Sequence, residues 1–163
     1  MSNRIARSAA ALSLLTLAVA GTAGAQSPSQ TINFSVAAIN QVAVSGTVTL
    51  DVTTAVAGSN PTQATDNAST WAVTTNQSGA KISASLDSDM PSGLTLQVSL
   101  GAPSGATSAG AKTLSSASVD LVTGVTQVAA SGLSMNYTLD AALTAGVVAS
   151  GTRTVTYTIT GGT

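Results

Sequence analysis

Apolar and polar residues alternate with period two through almost the whole of this chain, which leaves little room for helix. Ile32, Phe34, Val36 and Ala38 form one such set, and Val48, Leu50 and Val52 another. Trp71, Val73 and Thr75 follow, then Ile82, Ala84 and Leu86. Leu94, Leu96, Val98 and Leu100 alternate most cleanly. Leu133, Met135, Tyr137 and Leu139 repeat the pattern, and Val155, Tyr157 and Ile159 close the chain. Successive side chains of a strand point to opposite faces, so each set defines the inner face of a half-buried strand. The Thr and Val enrichment suits a pleated surface. A further strand is expected over 118–122, continuing across Gly124 towards Val128. Gly58-Ser59-Asn60-Pro61, Asn76-Gln77-Ser78-Gly79, Pro91-Ser92-Gly93 and Pro103-Ser104-Gly105 punctuate the strands as turns. Residues 101–112 read as a long small-residue loop. Only 141–149 has room for a short helical turn, and Gly146 weakens it. The expectation is an all-β fold, an immunoglobulin-like β-sandwich of about seven to nine antiparallel strands rather than a closed barrel.

The first residues have the three parts of a secretory signal peptide. Arg4 and Arg7 form a basic region, residues 9–20 an apolar stretch short for a bilayer span, and Ala23-Gly24-Ala25 a small-residue cleavage site. Residues 1–25 are therefore expected to be removed, leaving 26–163 as a single domain in the periplasm, at the cell surface or outside the cell. No membrane-length segment follows the cut. The chain has no Cys, so an exported form holds together by apolar packing and backbone pairing alone.

Charge is scarce. Removing Arg4 and Arg7 from five basic residues leaves three against six acidic ones, a net charge of −3. Lys81, Lys112 and Arg153 cannot build a basic stripe, so nucleic acid is not expected as a partner. The surface must instead be made of Ser, Thr, Asn and Gln.

The chemistry available is correspondingly narrow. There is no His, Cys or Glu, which removes the usual general base, the thiol nucleophile and most transition-metal sites. A Ser–His–Asp triad cannot form, and neither Lys81 nor Lys112 has the setting of an activated amine. No catalytic residue and no cofactor is expected. Asp87 and Asp89, two apart at a strand end, are the candidate metal ligands, for Ca²⁺ through oxygen. The competing reading is a turn in which both carboxylates accept backbone N–H groups. Phe34, Trp71, Tyr137 and Tyr157 are each in phase with aliphatic neighbours, so all four are expected to face the core. That phase leaves no exposed aromatic platform for a sugar. Residues 92–100 and 131–139 echo each other in residue type, which reads as two strands with the same Ser-Gly lead-in.

The closing segment 131–163 (SGLSMNYTLDAALTAGVVASGTRTVTYTITGGT) ends on a Gly-Thr lead-in and an alternating Thr-Val-Thr-Tyr strand, Gly151 to Thr160. In this it resembles exported bacterial Thr/Ala-rich β-sandwich proteins, in the style of pilin and spore-coat-type subunits. The Cys pair common in such subunits is absent. The resemblance implies assembly by donating an N-terminal strand to a neighbour. Here that strand is Gln30 to Asn40, with Ile32, Phe34, Val36 and Ala38 as the exchanged residues and the strand 153–160 as the accepting edge. The expected function is a secreted or cell-surface structural protein, either a self-assembling pilus- or coat-like subunit or a self-complete monomer whose first strand is residues 30–40. The alternative is a non-catalytic periplasmic or extracellular binding module for Ca²⁺ or polysaccharide.

Overall fold

The computed structural model of the protein describes Gly24 and residues 26–162. The segment read as a signal peptide, residues 1–25, thus lies outside the described residues apart from Gly24. The chain divides into two compact units, residues 1–35 and 36–163. In the first, Gly24 and residues 26–35 are exposed and belong to no strand or helix.

The second unit is all-β. Its strands are β1 (Asn40–Val44), β2 (Ala64–Asp66), β3 (Thr70–Thr75), β4 (Ala80–Leu86), β5 (Leu94–Leu100), β6 (Thr107–Ser108), β7 (Lys112–Thr113), β8 (Val119–Val125), β9 (Val128–Ala141) and β10 (Val155–Thr160). One sheet has the order β1-β3-β9-β5-β7, and the other β10-β4-β8-β6; every pairing is antiparallel. The first sheet is organised by β9, whose 14 residues outrun all its neighbours. Its first half pairs β3, from Val128 opposite Thr75 to Ser134 opposite Thr70. Its second half pairs β2 on the same side and β5 on the other, from Met135 opposite Leu100 to Ala141 opposite Leu94.

Both sheets contribute to one apolar core in a sandwich-like arrangement. Trp71, Val73, Val98, Leu100 and Met135 come from the first sheet, and Ile82, Ala84, Leu121, Val122 and Val125 from the second. All are essentially inaccessible to water. Each large aliphatic or aromatic side chain so buried contributes about 1.5–3 kcal/mol relative to exposure. The indole of Trp71 also donates from Nε1 to the Gly101 carbonyl at 3.1 Å, so its one polar atom is satisfied. A hydroxyl pair joins the sheets: Tyr137 Oη of β9 and Tyr157 Oη of β10 lie 2.5 Å apart.

The alternation-based strands from Trp71 onward all appear, as β3, β4, β5, β9 and β10. The strand expected from 118 is β8. It crosses Gly124 and ends at Val125, and Val128 already begins β9 in the other sheet. The corner between them places Gln127 at φ 43°, held by its N–H on the Gln77 carbonyl at 2.9 Å. The helical turn is a short 3₁₀ turn, Leu143–Ala145, closed by Gly146 at φ 64°.

Other expectations are corrected. Among the described residues there are ten strands, not seven to nine, because the supposed loop 101–112 contributes β6 and the start of β7, one to each sheet. Ser131-Gly132 is not a lead-in turn but an interruption inside β9. Between the pairs Trp71–Leu133 and Val73–Ala130 the register shifts, with Gly132 at φ 66°. That is a β-bulge with glycine at the left-handed position. Ser92-Gly93 is a turn, so the two echoing segments differ in role, yet they pair antiparallel with each other as β5 and β9. The segment 47–54 keeps its alternation, with Val48, Leu50 and Val52 half-buried and the first two packed against the core, but it joins no ladder. Residues 30–39 form no strand either; only Asn40 of that segment does. Phe34, expected in the core, is 91% exposed.

Candidate functional site

Two features stand out, the apolar N-terminal segment and a groove at the far end of β9. Ile32, Phe34 and Val36 are 75%, 91% and 81% exposed. Three large apolar side chains at period two, none of them shielded from water, are unusual in a chain with so few aromatics. The segment stops being free at Ala37. Asn76, just past β3, donates from Nδ2 to the Ala37 carbonyl at 2.8 Å and accepts the Ile39 N–H on Oδ1 at 2.8 Å. Its own N–H donates to the Ile39 carbonyl at 3.2 Å. Asn40 then pairs with Thr75, accepting its hydroxyl at 2.7 Å and donating to Gln77 Oε1 at 2.5 Å. Of the exchange residues expected from sequence, Ile32, Phe34 and Val36 are thus left unpaired. Ala38 is flanked by residues tied into the chain's own sheet. The unpaired stretch ends at Val36, short of the Gln30 to Asn40 expected from the sequence.

The groove has a volume of about 1000 Å³. One side is the run 47–55 beyond β1, and the other is the run 146–153 that leads into β10. Val48, Leu50, Val52, Met90, Leu94 and Leu139 supply its apolar lining. Among the described residues, Asp51 and Arg153 are the only charged ones on it, and no aromatic ring lines it. Within the same residues, neither 47–53 nor 147–153 enters a backbone–backbone hydrogen bond. Two stretches of main chain outside any ladder thus flank an apolar trough, and of their N–H and C=O groups only the Thr152 carbonyl is engaged, by Arg153 Nη1 at 2.8 Å. Sequence reading missed this site because its walls come from four separate segments, and the only signal was the alternation at 48–52.

The Asp87 and Asp89 carboxylates both accept backbone N–H groups, Asp87 locally and Asp89 from a distant segment rather than within a turn. Asp87 Oδ1 accepts the Ser88 N–H at 2.9 Å, and Asp89 Oδ1 accepts the Ser116 N–H at 2.6 Å. The Ser116 bonds hold the Asp89 carboxyl below the usual carboxylate range. Arg153 Nε donates to the Asp89 carbonyl at 3.1 Å rather than to its carboxylate. No cluster of three or more acidic or metal-ligating side chains occurs among the described residues.

The two tyrosines are shifted in the other direction. Burial raises both phenols, Tyr157 more strongly, and the mutual hydrogen bond adds to the rise at Tyr157 while opposing it at Tyr137. The pair links the sheets and neither tyrosine lines the groove, which fits a structural role. Lys81 and Asp120 form a half-exposed ion pair at 3.0 Å between β4 and β8, a geometry worth little to stability. Among the described residues no helix is long and apolar enough to cross a membrane.

What the fold and these features define is an all-β protein of two antiparallel sheets with an unpaired apolar segment before its first strand. No protein-family model matches the chain, and no curated protein or solved structure matches it.

Proposed function

We propose that this chain is an exported structural subunit, working at the cell surface or outside the cell, that self-associates through its N-terminal segment in the manner of pilin- or coat-like proteins. The observation that carries this reading is the exposure of Ile32, Phe34 and Val36, alternating and outside any strand. A chain at large in water exposes such a set at a cost, and burial in a partner recovers about 1.5–3 kcal/mol for each side chain. An alternating segment suits strand addition, in which the backbone extends a sheet and every second side chain fills a pocket. A neutral surface rich in Ser and Thr and the lack of His, Cys and Glu favour a structural role over catalysis.

The test is sedimentation velocity over a wide concentration range, on the protein as its bacterial host processes it, for the wild type and for Phe34→Asp. The wild type forms oligomers and the variant remains monomeric. The two have the same melting temperature as monomers, because an exposed residue holds up no core. A wild type that stays monomeric at every concentration overturns the reading.

A further inference from the structure

We propose that the groove between 47–55 and 146–153 is the acceptor site, and that its occupant is residues 30–36 of a second copy, laid in as an added strand. The proposal rests on the self-association reading above and goes further by naming the receiving site, which is not the β10 edge expected from the sequence.

Three observations select this occupant. First, apart from the Thr152 carbonyl, which accepts from Arg153 Nη1, the backbone donors and acceptors of the flanking runs 47–53 and 147–153 have no protein partner. An extended peptide satisfies them, whereas a compact ligand does not. Second, the lining carries only Asp51 and Arg153 as charges and no aromatic ring, so it suits a neutral apolar strand and lacks the stacking surface a sugar uses. Residues 26–36 contain no charged side chain, and Ile32, Phe34 and Val36 present one apolar face. Third, the chain cannot fill its own groove. β9 serves as a ruler. Asn40 is level with Thr75 and Val128 at one end of the first sheet, whereas the groove begins at Leu139, eleven residues further along the same strand. At about 3.3 Å per residue that separation is roughly 35 Å. Phe34 is three residues from Ala37, where Asn76 fixes the chain, and three residues reach at most about 10 Å.

Donor and acceptor therefore belong to opposite ends of the first sheet. Copies joined head to tail through such an interface form an open chain, whereas two antiparallel copies that exchange segments reciprocally close as a twofold dimer. Asp51 and Arg153 at the groove leave the neutral segment unopposed by net charge.

The experiment places a photo-cross-linking phenylalanine analogue at Ser35, beside Phe34, in the host-processed protein. It is mixed with isotopically labelled wild type, irradiated, and the cross-links are mapped by mass spectrometry. The expected result is cross-links between copies, from position 35 to residues 47–55 or 146–153. A second variant, Leu143→Asp, alters an exposed residue of the groove. It should weaken association at least about 100-fold, equivalent to the loss of one buried side chain together with burial of a charge, with an unchanged melting temperature. Cross-links between copies that fall on 155–160 instead overturn the groove and leave the self-association reading standing. Cross-links confined to one chain overturn the groove as an intermolecular acceptor. Monomer at all concentrations with no link between copies overturns both.

Discussion

Removing one hydroxyl of the Tyr137–Tyr157 pair should cost more than removing both. Tyr137 is 7% exposed, and its Oη has Tyr157 Oη as its hydrogen-bond partner at 2.5 Å. In Tyr157→Phe the Tyr137 hydroxyl is left buried without that partner, at a cost of about 1–3 kcal/mol. Tyr137→Phe strands the Tyr157 hydroxyl in the same way and falls in the same range. The double variant strands neither and should lie within about 1 kcal/mol of wild type, a coupling that a double-mutant cycle reads directly. The pair also sets the alkaline limit. Burial raises both phenols above their ordinary range, so the folded state holds its protons more tightly than the unfolded one. Stability is then flat below the unfolded value of about 10 and falls as pH rises beyond it, by about 1.4 kcal/mol per pH unit for each tyrosine still neutral in the fold. Tyr157→Phe should halve that slope. These are the only two tyrosines, so phenolate absorbance reports them without background. Urea midpoints at constant m-value, from pH 8 upward, give the stabilities. A double variant as unstable as the sum of the singles, or wild-type stability unchanged well above pH 11, would overturn this account of the pair.

Two further outcomes follow from local geometry. Gly93 is at φ 83°, and a Cβ there would meet the Ala145 backbone at 2.7 Å, so Gly93→Ala should destabilise by about 2–4 kcal/mol in chemical denaturation. Ca²⁺ or a chelator should leave the melting temperature unmoved, because the Asp87 and Asp89 carboxylates already accept backbone N–H groups; a midpoint that climbs with Ca²⁺ would show that these side chains turn outward to bind it.

Much of the fold is legible residue by residue. Trp71, Val73, Ile82, Val98, Leu100 and Met135 alternate with neighbours of the opposite kind, and all six are buried. Period two is a property of one segment, and hydrophobic burial acts on it wherever a second sheet is available. The absence of His, Cys and Glu likewise narrows the chemistry whatever the fold. What alternation does not contain is the identity of a partner. Ile32, Phe34 and Val36 alternate as well as Leu96, Val98 and Leu100, yet only the second set has strands on both sides, β9 and β7. A ladder needs a neighbour at the right register, and that neighbour is distant in sequence. The same holds for β6 and β7, two residues each, which exist only because β8 and β5 pass beside them. The groove is the extreme case. Leu50, Leu94, Leu139 and Val148 meet only after β9 has run past the end of β3, and no local pattern marks that overhang. Which residues avoid water and which reactions are out of reach follow from the order and kind of side chains, because both are matters of side-chain chemistry. Which alternating segments find partners, and where an apolar trough is left open, follow from the folded arrangement, because hydrogen-bond pairing and cavity shape depend on segments far apart in the chain.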